Sequence, residues 1–304
     1  MDKEEVLRDC YNYGDTVTFF FVFYETLRNA GLTVEVERDF HGPKGIKRNP
    51  DFAVLEARRI LDVLDHKASL PNPELAQSGL TRLHEKYRVL IHDGHKSRPQ
   101  VTVLYPESKQ AILDAVKGRI PKELTCVSFD QTSSDSEIRF HRQGEVRTKQ
   151  LETLLDGHPF AFDPAKVRST YKFIRSDPPV VYTASDLWRT FPTFRDVKTA
   201  DREQFAVDRN QLLDRMLVFY PPWIRNNSQL NAGRVDAALA FLSTIKFVKW
   251  EPGGGRIQVD PSKGRRSGNI LEYFADRFAK LHTKRRRKTL PVRHGKQTQL
   301  ESFG

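Results

Sequence analysis

The chain has 304 residues, 38% hydrophobic and 11% aromatic, which is enough for two globular domains and too apolar for a disordered chain. Lys and Arg number 50 against 39 Asp and Glu, and the formal charge of +11 suits a polyanionic partner, nucleic acid ahead of a membrane surface. No stretch approaches the roughly 18 apolar residues of a spanning helix, and two cysteines cannot build a disulfide framework or a zinc site, so the chain reads as intracellular.

The first predicted element is a helix capped by Asp15 or Thr16 and running to about Asn29, with Gly31 as its stop signal. Val17, Phe20, Phe21, Tyr24 and Leu27 give it a buried face. The apolar run Phe19–Tyr24 is not a signal peptide, because no basic region precedes it. Leu32–Glu37 alternates and reads as a strand. The segment Asp39–Asn49, with two glycines, a proline and three basic residues, reads as a loop. Strands follow at Asp51–Leu55 and Ile60–Ala68, then a helix at Pro73–Val89. His92-Asp-Gly-His95 reads as a polar turn. Val101–Tyr105 is a strand, Ser108–Gly118 a helix and Leu124–Phe129 a strand. This order implies a mixed sheet with helices on its faces, a domain of residues 1–157 that should fold alone.

Residues 158–180 carry four prolines and read as a linker. Thr183-Ala-Ser-Asp186 forms a capping box that opens a short helix. Further helices are predicted at Arg202–Leu217 and Ala232–Ile245. Phe247–Trp250, a glycine-rich tip and Arg256–Val259 make a hairpin. Helices followed by a basic-tipped hairpin resemble a winged helix, which gives residues 181–265 as a mainly helical DNA-binding domain; a generic helical domain with one hairpin fits equally. Residues 266–304 form a basic tail. Between 280 and 296 it holds eight Lys and Arg and no acidic residue.

The chemistry-bearing residues are Asp51, Asp65 and Lys67. In a strand, residues two apart share a face, so Asp65 and Lys67 point the same way. If the hairpin loop has an odd length, such as Ala57-Arg-Arg59, Asp51 lies opposite Asp65, and opposed Cβ atoms are about 4.5–5.5 Å apart. An even-length loop would put Asp51 on the other face. Two carboxylates so close repel unless a cation sits with them, and Mg²⁺ accepts a few carboxylates plus water and phosphate. The competing reading is a surface hairpin whose charges keep an edge soluble. Lysine beside a metal can orient water and stabilise charge on phosphoryl oxygens.

Pro50-Asp51 on one strand and Asp65-His-Lys67 on the next resemble the signature of the PD-(D/E)xK nuclease superfamily, which includes restriction enzymes and Holliday-junction resolvases. The order helix, three strands, helix, strand over residues 16–105 is similar to that superfamily's core. The resemblance implies a restriction-endonuclease-like α/β fold and Mg²⁺-dependent cleavage of DNA, with Mn²⁺ able to substitute. It also implies a metal-site Glu on the first helix, which Glu25 matches, and a backbone carbonyl from His66. Many relatives act as homodimers.

Lys44, Lys47 and Arg48 precede Asp51 and either contact phosphates or form a solvated basic loop. Lys284, Arg285, Arg286, Arg287 and Lys288 are candidates for DNA contacts or a nuclear import signal, or form a solvated segment. Gln297-Thr-Gln-Leu300-Glu-Ser-Phe303-Gly304 resembles a sliding-clamp-binding peptide, with Gln297, Leu300 and Phe303 at its anchor positions and Gly304 where a second aromatic is expected. These features together predict a DNA endonuclease of repair, recombination or replication. The alternatives are a restriction or mobile-element nuclease, and a clamp-recruited DNA-binding scaffold with an inactive nuclease fold. The expected location is the cytoplasm and nucleoid, or the nucleus of a eukaryotic or viral source.

Overall fold

The computed structural model describes residues 1–67, 70–131, 137–156, 159–162, 173–194, 204–221, 223–224, 228–263 and 269–289. Two compact units share them. The first comprises Asn12–Pro178 and Leu213–Ala232; the second comprises Met1–Tyr11, Pro179–Leu212 and the chain from Gly233 onward. A single division near 157 does not capture this arrangement, because residues distant in sequence complete each unit. In the first, the rings of Phe173 and Tyr220 stack at 4.7 Å. In the second, Lys3 pairs with Glu272 at 3.3 Å.

Helix α1 spans Lys3–Asn29 and starts well before the expected cap at Asp15 or Thr16. The polar stretch there does not break it. The hydroxyls of Thr16 and Thr18 donate to the carbonyls of Asn12 and Gly14, at 2.8 and 2.9 Å, and are satisfied inside the helix. The helix stops as predicted, with Gly31 at φ 78°.

The first unit is mixed α/β. Its seven-stranded sheet has the order β1 (Thr33–Val36), β4 (Phe52–Glu56), β5 (Arg59–His66), β8 (Gln100–Pro106), β9 (Leu124–Gln131), β10 (Glu137–Gln143) and β11 (Phe160–Ala161). The central pairs β5/β8 and β8/β9 are parallel and the rest antiparallel. Parallel neighbours need crossovers, and helices α2 (Pro73–Tyr87) and α3 (Gln110–Val116) supply them. The predicted loop before Asp51 is a short hairpin of β2 (Phe40–His41) and β3 (Lys47–Arg48). Two-residue strands leave no periodicity to read. This hairpin joins β6 (Leu90–His92) and β7 (His95–Ser97) in a four-stranded sheet, with Asp93 and Gly94 as the predicted polar turn.

Alternation decides what each face of the large sheet carries. Ala53, Val63, Val101 and Val103 pack with Leu80, Leu83 and Tyr87 of α2 in one buried cluster. On the other face, Phe19, Phe20 and Phe23 of α1 meet Phe52, His66 and Phe129. Asp62, wholly buried on β5, accepts the Arg147 N–H at 2.9 Å and the Thr148 hydroxyl at 2.6 Å, which ties β5 to the start of helix α4 (Lys149–Leu155).

The second unit holds helix α5 (Val180–Thr190), strand β12 (Phe205–Asp208), the first half of helix α6 (Arg209–Met216), most of helix α7 (Ser228–Thr244), strands β13 (Val248–Lys249) and β14 (Arg256–Val259), and helix α8 (Ile270–Thr289). Its three strands are ordered β12-β14-β13. Two expectations change. Thr183–Asp186 lies inside α5, which begins after Pro179, so it is no cap. The helix expected over Arg202–Leu217 is a strand followed by a helix, and the Asp208 carboxylate caps it by accepting the N–H groups of Asn210 and Gln211, at 2.8 and 3.1 Å. Arg209 then clasps Asp236 through two bonds of 2.7 and 2.8 Å. Among the described residues no helix is long and apolar enough to cross a membrane.

Candidate functional site

The β4–β5 hairpin closes with Glu56 paired to Arg59, so its turn is Ala57-Arg58 and has an even length. Carried on unchanged, that register would send Asp51 and Asp65 to opposite faces. A β-bulge intervenes: Leu55 pairs with Ile60 but Val54 pairs with Asp62, which leaves Leu61 as the extra residue. The register then runs through Ala53–Val63 and Phe52–Leu64, and it brings Asp51 level with Asp65. The geometric demand is met by a bulge rather than by the loop.

Both aspartates lie on the α2 face of the sheet, where β5 and β8 run parallel. Asp51 Oδ2 accepts the His66 N–H at 2.6 Å. Asp65 is buried. Its Oδ2 lies 3.1 Å from the Tyr87 hydroxyl. Its Oδ1 meets the Lys67 ammonium as an ion pair but receives no well-aimed hydrogen bond. The same hydroxyl faces the Asn49 carbonyl at 2.6 Å, and its one proton is shared between that carbonyl and Asp65 Oδ2. Burial pushes the Asp51 carboxyl well above the ordinary aspartate range, and the neighbouring Asp65 charge pushes it further. Burial likewise raises the Tyr87 phenol, and the Asp65 and Asp51 charges add to the effect.

The His66 side chain points away from the carboxylates. It stacks on Phe19 with ring centroids 4.6 Å apart, and burial together with Lys67 lowers its pKa to about 3. The imidazole is therefore neutral at physiological pH.

Sequence reasoning missed three residues here, Glu37, Lys86 and Tyr87. Glu37, at φ 49° just after β1, is buried. Its carboxylate accepts the Arg175 N–H at 2.9 Å and the Trp223 indole N–H at 2.8 Å. Its own N–H donates to the Asp51 carbonyl at 2.9 Å, and its carbonyl accepts from Asn49 at 2.5 Å. Hydrogen bonds thus run from Glu37 through Asn49 and Tyr87 to Asp65. Lys86 lies beside them, with its ammonium 4.4 Å from the centre of the Tyr87 ring. Burial lowers the Lys86 pKa, and the charges of Asp65 and Asp51 oppose that shift. Glu37, Lys86 and Tyr87 belong to no short motif, and only the closing of the sheet and α2 brings them to the aspartates.

Glu25 does not join this group. Its helix packs on the opposite face, and among the described residues Glu25 has no hydrogen bond or ion pair. Glu37 is, after Asp65, the second carboxylate whose charge reaches Asp51. Lys44 and Lys47 are exposed, and Lys47 lies 3.8 Å from Asp39. Arg48 is half-buried. Lys284, Arg285, Arg286, Arg287 and Lys288 fall at the end of α8, where side chains lie outside the description. Gln297, Leu300 and Phe303 lie outside the described residues altogether.

Among the described residues no group of three or more His, Cys, Asp or Glu side chains could hold a metal ion by itself. Two adjacent, partly desolvated carboxylates with one oxygen lacking a hydrogen bond do fit Mg²⁺, which commonly takes one or two carboxylates and keeps water and substrate phosphate as its other ligands. Comparison with protein-family models, with curated proteins and with solved structures finds no match for this chain.

Proposed function

We propose that the first unit hydrolyses phosphodiester bonds in DNA with Mg²⁺ as cofactor. One observation carries this reading: Asp51 and Asp65 stand side by side, with the Lys67 ammonium against Asp65. The element order of α1, β1, β4, β5, α2 and β8 supports a restriction-endonuclease-like fold. In the second unit, the order α5, β12, α6, α7, β13, β14 with β14 between β12 and β13 supports a winged-helix reading. The charge of +11 favours DNA as partner. The tail peptide of Gln297, Leu300 and Phe303 adds a proposed tether to a sliding clamp.

In this reading Asp51 and Asp65 hold the cation. Mg²⁺, or Mn²⁺ in its place, supplies the charge that polarises the phosphoryl group and acidifies water at the site. The His66 N–H fixes Asp51, and Tyr87 holds Asp65 against rotation. Lys67 places a compact positive charge where the phosphoryl oxygens gain negative charge as water adds and the ester bond breaks. Glu37, with both carboxylate oxygens engaged by Arg175 and Trp223, positions the backbone of Asp51 and the side-chain amide of Asn49. Glu25, which the resemblance offers as a further ligand, has no role in this reading because its helix packs on the opposite face of the sheet.

The test is a cleavage panel of branched, mismatched and linear DNAs with Mg²⁺ or Mn²⁺. Wild type should cut at least one substrate. Asp51→Ala, Asp65→Ala and Lys67→Ala should each lower the single-turnover rate about 100-fold or more while DNA binding persists. Full activity in Asp65→Ala would sink the assignment.

A further inference from the structure

Arg48, Lys67 and Lys86 come from β3, the end of β5 and α2: Lys67 pairs with Asp65, Lys86 feels the charges of both aspartates, and the Arg48 charge reaches Lys86 and Tyr87. Arg48 Nε is fully buried and has no hydrogen-bond partner. Among the described residues the guanidinium forms no ion pair either. Such a group is costly to bury unless a ligand completes it.

The fold makes room for it. A Cβ on Gly42 would lie 3.1 Å from Arg48 Cγ and 3.3 Å from Nε, so a side chain there would crowd the arginine and make it give by a few tenths of an ångström. Lys86 sits 4.4 Å over the Tyr87 ring, whose hydroxyl is 3.1 Å from Asp65. The Lys86 ammonium is within electrostatic reach of Asp65, Asp51, Lys67 and Arg48 alike. Three cations therefore stand within one charge network with two carboxylates, and a bound divalent cation would widen the excess. An anion carrying several charges in a row balances it, and a nucleic-acid backbone is such an anion. A guanidinium takes a phosphate through two parallel bonds, and an ammonium takes one as a point charge.

We propose that Arg48 and Lys86 grip backbone phosphates of the DNA strand presented to Asp51 and Asp65, forming with Lys67 a three-cation cradle; this rests on the nuclease reading. Lys86 is then a substrate-contacting residue that no motif marks. Gly42 is the bare position that lets Arg48 reach the phosphate.

The experiment uses the full chain, a fluorescein-labelled linear duplex and a labelled four-way junction. Affinity is measured by anisotropy across a salt series in EDTA, so that binding is read without cleavage. Arg48→Ala and Lys86→Met should each reduce the slope of log K against log salt by about 0.9, one phosphate's share, and the double variant by about twice that. Lys86→Arg should keep the wild-type slope, which separates lost charge from lost folding. Gly42→Ala alters no charge and should still move the slope toward that of Arg48→Ala. At saturating DNA with Mg²⁺, both single variants should cut about 10-fold or more slowly, a loss of about 1.4 kcal/mol or more in transition-state stabilisation. Wild-type slopes and rates in Arg48→Ala and Lys86→Met, with wild type itself cutting, would overturn the cradle and leave the nuclease standing. A wild type that cuts nothing would instead remove the nuclease reading, while unchanged or reduced slopes still decide for or against the phosphate contacts.

Discussion

Asp51 shows what the site costs the fold. Its carboxyl is raised by burial first and by Asp65 second, so between the unfolded value near 3.8 and the higher folded value only the unfolded chain gives up the proton. Stability therefore falls as pH rises through that window, and it stays lower above it. Asp51→Asn removes the repulsion and keeps an oxygen to accept the His66 N–H. It should raise the melting temperature at pH 7 by roughly 2–4 °C for each kcal/mol of repulsion relieved. The gain should vanish near pH 3, where wild-type Asp51 is already protonated. Mg²⁺ should reverse the order: at about 100 times its Kd it adds about 2.7 kcal/mol to wild type and nothing to the variant. A thermal-shift titration at two pH values reads both effects. A wild type indifferent to Mg²⁺ and Mn²⁺ would show that the aspartates do not hold a metal.

At the scale of elements, the bulge at Leu61 and the Glu37 junction set the site. The bulge corrects a two-residue turn so that two aspartates share a face. The junction fastens β1 to the segments carrying Arg175 and Trp223, and it does so through a buried carboxylate that is stable only with its donors in place. Trp223→Phe keeps an aromatic ring beside Tyr24, whose centroid lies 4.9 Å away, and deletes the indole N–H. It should cost about 1–3 kcal/mol, the range for leaving a buried acceptor short of a partner, read from urea unfolding. An unchanged midpoint would mean that Glu37 draws its support from Arg175 alone. The same variant should slow cleavage less than Lys67→Ala, because Glu37 positions backbone and does not touch the phosphate.

For the whole molecule, the interleaving of the two units decides what can be cut away. A fragment of residues 1–157 contains Asp51, Asp65, Lys67 and every strand of the large sheet except β11. It lacks Arg175 and Trp223, the donors to Glu37, and also Ile174, whose N–H reaches the Tyr13 hydroxyl at 3.1 Å. Such a fragment should lose its cooperative melting transition and show amide exchange throughout β1 and β4. Adding residues up to 232 should restore both. A cooperative transition in the shorter fragment would show that the late segments decorate a core that is already complete.

The sequence by itself determined the alternation of helices and strands, the strands carrying Pro50-Asp51 and Asp65-His-Lys67, the stop at Gly31 and the turn at His92–His95. These are local matters of periodicity and backbone preference, and a short window contains them. Only the tertiary structure decided where α1 and α5 begin, because buried apolar contacts outweigh a polar residue that resembles a cap. It alone supplied the bulge that sets the parity of Asp51, since a one-residue slip inside a strand leaves no mark on composition. It alone assembled Glu37, Tyr87, Lys86 and Arg48 around the aspartates. Their separation along the chain hides a cluster that arises when β-strands and a crossover helix close over one another, and burial then makes each charge depend on the rest.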